Sequence, residues 1–236
     1  ILMKFGIICA MQEEIKELKA ALKNNRTKTL GDKEYFAGQI DGQDVVLVES
    51  GIGKVEAAIT AEHLAVDFAV DVIINSGSAG GIGEGLHVGD VVVSSETAYH
   101  DVDATAFGYE YGQLPQKTPR FKASQQWGSA LMTAGEKTGL NVKRGLIVSG
   151  DQFVASQAAI AKIKQHFPDA LSAEMEGAAV GQVACDHKLP YVVVRAMSDT
   201  GDEKANVSFD EFIIEAGKRS AKMLLQLFSD LNAQEG

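Results

Sequence analysis

The sequence is poor in cysteine, proline and arginine, has no long apolar run, and carries no surplus of positive charge. Cys9 and Cys185 are its two cysteines, too few for a disulfide framework or a zinc site. A reducing, cytoplasmic compartment is the expected setting. Four prolines against 24 glycines point to tight turns and close backbone approaches rather than disorder. Apolar runs such as residues 70–74 (VDVII) fall far short of the roughly 18 residues a membrane span needs. No signal peptide is read ahead of the first strand, and Met3, behind Ile1 and Leu2, is the expected native start. With 22 Lys and Arg against 32 Asp and Glu, and a net charge of -10, nothing is available to displace counterions. That argues against nucleic acid and against an anionic membrane surface. His63, His87, His100, His166 and His187 show no metal-ligand spacing and read as surface or structural, with His100 the one exception because it opens a long loop. Ser78 and Ser149 lack the GxSxG elbow of a serine hydrolase.

What remains is ordinary globular material, 45% hydrophobic and 23% charged. The length suits one α/β domain over residues 1–236, enough to bury roughly 70% of the unfolded surface. Residues 4–10, 71–75, 89–95, 142–149 and 191–197 read as buried strands, and 34–40 with 44–49 as a hairpin around Asp41-Gly42. Residues 13–22, 54–68, 124–138, 156–166, 174–187 and 209–228 read as helices. Strands alternating with helices predict a central mixed, twisted β-sheet flanked by helices on both faces. Residues 96–121 read as a long non-helical stretch, of a kind that is functional or covered by a partner.

In open α/β sheets ligands bind past the carboxyl ends of strands. Glycines and carboxylates gather at those junctions: 50–54 (SGIGK), 76–81 (SGSAGG) and 150–154 (GDQFV), with Glu14, Glu174, Glu176, Asp199 and Asp202. The glycines make no phosphate loop. GxxxxGK[ST] fails because Val48 and Val55 stand at its ends, and GxGxxG fails at Glu56. They serve either as plain strand-to-helix turns or as points where a ligand approaches backbone amides closely. Glu13 and Asp202 read as surface charge and Lys54 as a solvated residue at a glycine turn. Glu176, between Met175 and an apolar GAAV run, reads as partly buried and in need of a hydrogen-bonding partner. Asp199, directly after a strand buried on both faces, suits a general acid.

Taken together, residues 4–14 (KFGIICAMQEE), 50–55 (SGIGKV), 73–81 (IINSGSAGG), 99–113 (YHDVDATAFGYEYGQ), 145–153 (GLIVSGDQF), 174–179 (EMEGAA), 192–199 (VVVRAMSD) and 208–212 (SFDEF) resemble the bacterial 5′-methylthioadenosine/S-adenosylhomocysteine nucleosidases, within the nucleoside phosphorylases and hydrolases. The resemblance runs in order along essentially the whole chain. It implies a nucleoside phosphorylase-like fold, a homodimer, no metal or organic cofactor, and cleavage of adenosine thioethers to adenine and a 5-thio-substituted ribose. By the same resemblance Asp199 protonates adenine N7, Glu14 is the base for the attacking water, and Glu176 holds the ribose hydroxyls with Met175 packed on the sugar. Ser78 and Arg195 help to position water and acid, with Ser198 beside Asp199. Phe153 and Val154 read the base, and Ile52 and Phe209 wall the alkylthio group. Ala104, Phe107 and Pro115 are implied to reach over from a partner subunit. Two positions depart from the family pattern: Gln12 stands where an acid is common, and Ala104 is small.

Three other readings stay open on residues alone. A phosphorylase needs cations for phosphate. The chain has five arginines, Arg26, Arg120, Arg144, Arg195 and Arg219, none of them in the 11–14, 50–54 or 78–81 segments. A non-catalytic nucleoside-binding module has no need of Glu14 and Asp199 together. A hydrolase of another purine nucleoside differs in the room near Ile52, Phe209 and Ala104.

Overall fold

The computed structural model describes residues 3–201 and 204–235; Ile1, Leu2 and Asp202 lie outside them. Among the described residues ten strands and six α-helices follow one another: β1 (Lys4–Cys9), α1 (Gln12–Ala21), β2 (Lys23–Leu30), β3 (Lys33–Ile40), β4 (Gln43–Glu49), α2 (Lys54–Val66), β5 (Val72–Gly81), β6 (Val91–Tyr99), β7 (Phe121–Lys122), α3 (Gln125–Lys137), β8 (Val142–Ser149), α4 (Gln157–His166), β9 (Ala170–Glu174), α5 (Gly177–Asp186), β10 (Tyr191–Asp199) and α6 (Ala205–Glu235). Among the described residues no helix is long and apolar enough to cross a membrane.

The strands form one mixed sheet in the order β10-β6-β8-β9-β5-β1-β4-β3-β2. A second pairing closes part of it. β10 runs parallel to β5, with Tyr191 opposite Ile73, and antiparallel to β6, with Arg195 opposite Val92. Strands β5, β10, β6, β8 and β9 thus make a ring, from which β1, β4, β3 and β2 extend as an open wing. The period of two along β1 divides the core. Phe5, Ile7 and Cys9 pack with residues of α1, α3 and α6, while Ile8 packs with α2 and α5. Phe5 meets Trp127 and Phe228 edge-on at centroid separations of 5.0 and 5.3 Å.

Helices thus cover both faces, as expected, and most differences concern ends. β2 was not expected: its sequence KNNRTKTL is almost wholly exposed, an edge strand with no apolar alternation to reveal it. β9 (ALSAE) falls where the sequence reads as loop and helix start. The helix expected from residue 174 begins at Gly177 instead, because the Glu174 carboxylate accepts the Glu176 and Gly177 N–H groups and supplies the partners that α5's first amides lack. β5 continues through residues 76–81 rather than ending before them, since Gly80 and Gly81 pair with Ala173 and Ser172 of β9. The stretch expected from 96 to 121 starts later, after Tyr99, and contains a single 3-10 turn at Thr105–Phe107.

Candidate active site

The carboxyl ends of β1, β4, β5, β8, β9 and β10 converge on one pocket, at the place where open α/β sheets bind ligands. Glu14, Ile52, Ser78, Phe153, Val154, Met175, Glu176, Arg195, Ser198, Asp199 and Phe209 all line it. Ala104, Phe107 and Pro115 do not. They lie on the loop between β6 and β7, where Phe107 is 82% exposed.

Glu14 is the third residue of α1, and its chain folds back to the helix start. Oε2 accepts the Ala10 and Met11 N–H groups at 2.8 and 3.1 Å, as a glutamate there commonly does. Oε1 is turned to β5 and accepts the Ser78 N–H at 3.0 Å and the Ser78 hydroxyl at 2.9 Å. Glycine at position 77 makes room for this. A Cβ there would stand 2.7 Å from Glu14 Oε1 and 2.9 Å from Arg195 Nη1. Gly77→Ala is therefore expected to displace the carboxylate and to lower kcat on the order of 100-fold, the scale of an ångström's misplacement. Steady-state kinetics on the folded variant check this, and a kcat near wild type would show the glycine to be dispensable.

Arg195 is fully buried in β10 and bonds to four groups. Nη1 donates to the Ser78 carbonyl at 2.9 Å, and Nη2 donates to Asn75 Oδ1 and faces Glu174 and, at 3.3 Å, Glu176. Glu176, the N-cap of α5, also accepts the Gly53 N–H at 3.0 Å. Burial pushes its carboxyl up to about 7 against the pull of Arg195. A carboxyl raised from 4.5 binds its proton more tightly folded than unfolded. Its contribution is therefore complete below pH 4.5 and lost as pH rises through about 7, on the order of 3 kcal/mol. The unliganded protein should lose this stability over that window and a Glu176→Gln variant should not. Thermal unfolding of both from pH 5 to 8 tests it, with parallel curves as the contrary result.

Asp199 closes β10 and is 1% exposed. Its Oδ2 accepts the Ser198 hydroxyl at 2.9 Å and its Oδ1 the Gly201 N–H at 2.8 Å. Gly80 is its counterpart to Gly77: a Cβ there would come within 2.9 Å of Oδ1. The glycines of 76–81 are thus neither turns nor a phosphate cradle but strand positions that let two carboxylates lie against backbone. Phe153 and Phe209 meet edge-on at 5.7 Å at the mouth.

Sequence reasoning missed three participants. Glu174 was seen only as a junction carboxylate, yet it binds Arg195, the start of α5 and the Ser149 hydroxyl. Asn75 reads in the sequence as the end of an apolar strand. Lys54 is not solvated: its ammonium lies 2.8 and 2.9 Å from the two oxygens of Asp101. His100, expected as the exception to a surface or structural role, is buried, with its pKa lowered by that burial, and does not line the pocket. Among the described residues no group of three or more His, Cys, Asp or Glu is arranged to hold a metal ion.

Residues 4–229 match the family model described as Phosphorylase superfamily. Solved relatives cover nearly the whole chain. The 5′-methylthioadenosine/S-adenosylhomocysteine nucleosidase of Neisseria meningitidis, in complex with methylthio-immucillin-A, is 44% identical, with 97% of this chain and 100% of that one covered and a TM-score of 0.95. The chain belongs to the nucleosidase branch of the phosphorylase superfamily. Two further nucleosidases of this branch agree with it closely. That of S. pneumoniae, with a transition-state inhibitor, is 48% identical, covers 97% and 100%, and has a TM-score of 0.93. That of Colwellia psychrerythraea, in complex with adenine, is 41% identical, covers 98% and 96%, and has a TM-score of 0.94.

Proposed function

We propose that this protein hydrolyses the N-glycosidic bond of 5′-methylthioadenosine and S-adenosylhomocysteine, releasing adenine and a 5-thio-substituted ribose. The observation that carries this is one pocket lined by four acidic side chains, Glu14, Glu174, Glu176 and Asp199, with Arg195 the one cationic side chain among the described lining residues. Such a site favours a sugar that becomes cationic as its bond to the base breaks. The names and ligands of the related structures support the same chemistry.

In this reading Asp199 gives its proton to adenine N7, so that the base departs neutral. Glu176 holds the ribose hydroxyls and offsets the developing charge, with Met175 against the sugar. Glu14 takes a proton from the attacking water. Acid and base act on opposite faces, as in an inverting glycosidase. Of the four hydrogen bonds Glu14 accepts, only that of the Ser78 hydroxyl can swing away, so Ser78 admits the water. Phe153 stacks on the base, Val154 offers backbone to it, and Ile52 and Phe209 flank the thioalkyl group. Phosphate is disfavoured as nucleophile. Both terminal nitrogens of the guanidinium that would bind it are already engaged, by Asn75, Ser78, Glu174 and Glu176, and the pocket is net negative. No cofactor is called for. Adenine release from methylthioadenosine should be equally fast in phosphate-free buffer and with added phosphate. A requirement for phosphate would overturn the role of Glu14, and no release in either buffer would overturn the activity.

The protein acts as a homodimer in this proposal, with Ala104, Phe107 and Pro115 of each subunit completing the other's thioalkyl site. Supporting it, Ile52, Val55, Ile59 and Val66 on and before α2, and Phe107, are exposed apolar side chains of a kind that marks an interface. Light scattering at micromolar concentration should give twice 25.1 kDa; a monomer would remove these residues from the site. Methionine salvage is the metabolic setting that such cleavage serves. Its place is the cytoplasm, in keeping with two free cysteines; recovery in the membrane or export fraction would contradict that.

A further inference from the structure

Two chain segments that line the pocket and a third that leads away to Phe107 meet beside it, at one ionic cluster. The first is the turn 51–54, which carries Ile52 and presents the Gly53 N–H to Glu176. The second begins at Asp101, where the chain leaves β6 toward Ala104, Phe107 and Pro115. The third begins at Asp151, where it leaves β8 toward Phe153 and Val154. Lys54 Nζ donates to both oxygens of Asp101 at 2.9 and 2.8 Å and lies 3.8 Å from Asp151. The Lys54 N–H donates to Asp151 Oδ1 at 2.8 Å, and the Asp151 N–H donates to Asp101 Oδ2 at 2.9 Å.

These contacts are built rather than incidental. The N-cap of α2 is Gly53, which has no side chain to cap the helix, so Asp151, far away in sequence, accepts the first helical N–H in its place. Gly53 stands at φ 104, and a Cβ there would come within 3.1 Å of Asp151 Oδ1. Gly150 is as tightly constrained, since a Cβ would lie 2.5 Å from the buried His100 ring. The Lys54 and Asp101 side chains are 23% and 12% exposed, so water screens the pair less than it does an open surface bridge. Burial alone would push the Asp101 carboxyl up, but Lys54 and the Asp151 N–H outweigh it and hold the group below its ordinary value.

We propose that Lys54, Asp101 and Asp151 form a positioning staple that fixes the Gly53 N–H on Glu176 and so sets the grip on the ribose. The Gly53 bond is the only one Glu176 accepts from the 51–54 turn, and Lys54 is the residue that ties that turn down on its other side. The staple touches no reacting atom. It also joins the loop that carries Phe107 to the sugar pocket, so that order in one supports order in the other. The inference rests on the nucleosidase reading.

The test is Lys54→Met, with Lys54→Arg as the conservative variant and Asp101→Asn as a second lesion should the first fold poorly. Lys54→Met is expected to raise KM for methylthioadenosine about tenfold, the factor that 1.4 kcal/mol corresponds to. Inhibition by free adenine, which has no sugar for Glu176 to hold, should stay within about threefold. Lys54→Arg should recover most of the loss, and Lys54→Met/Asp101→Asn should be no worse than Lys54→Met alone, as members of one unit behave. Hydrogen exchange at the Gly53 and Lys54 amides of the unliganded protein should be faster in Lys54→Met. An unchanged KM in both single variants, or an equal weakening of adenine, would overturn the staple. A wild type that releases no adenine would instead sink the assigned activity, while the exchange measurement would still decide on the staple.

Discussion

Asp199→Asn is expected to lower kcat by about 100-fold or more while leaving KM for methylthioadenosine within a few-fold of wild type. The size is that of a general acid's contribution, on the order of 10²–10⁴. An amide is nearly isosteric with the carboxyl but has no proton to give to N7, so loss falls on the chemical step. Two of its hydrogen bonds survive the exchange. The amide oxygen can still accept the Gly201 N–H, and the amide NH₂ can donate to the Ser198 hydroxyl, which only has to rotate from donor to acceptor. Thermal stability should therefore stay close to wild type, and a fall in kcat cannot be put down to unfolding. Should the variant keep more than about a tenth of wild-type kcat, Asp199 is not the acid.

Glu14→Gln should cost a similar 10²–10⁴ in kcat, but with a second signature. The carboxylate accepts four hydrogen bonds. An amide nitrogen at the Oε2 position would face the Ala10 and Met11 N–H groups, and at the Oε1 position the Ser78 N–H. Either way a buried donor loses its acceptor, which costs roughly 1–3 kcal/mol. Melting temperature should fall by several degrees, at about 2–4 °C per kcal/mol for a chain of this length. The two variants thus separate, since both are catalytically crippled and only one is unstable. Equal melting temperatures would mean that the Glu14 hydrogen bonds are not what holds α1 to β5.

Within the site, the residues most legible from the sequence were those at strand ends. Asp199 directly follows an apolar run that reads as a strand buried on both faces, and Glu176 stands at a strand-to-helix junction beside an apolar GAAV run; a carboxyl in such a place needs a reason, whereas Ser78 and Arg195 are reached only through the family resemblance. Glu174 was less legible because its tasks, capping α5 and pairing with Arg195, both depend on a helix start that its own side chain defines. Lys54 was misread for a similar cause. A lysine beside a glycine turn looks solvated until Asp101 and Asp151 are brought to it from 47 and 97 residues away.

By itself the sequence determined the alternation of strands and helices, the two-sided burial of the sheet and the case against polyanionic partners, because hydrophobic period and net charge are local or additive properties of a chain. Its glycine segments and acids also marked the end of the sheet where the pocket lies. Closure of five strands into a ring was decided only in three dimensions, as was the edge strand β2. The same holds for the four acceptor contacts of Glu14 and the engagement of Arg195 by carboxylates. Each depends on pairing residues far apart along the chain, where the energy lies in contact geometry and desolvation, and neither leaves a periodic trace in the order of the amino acids.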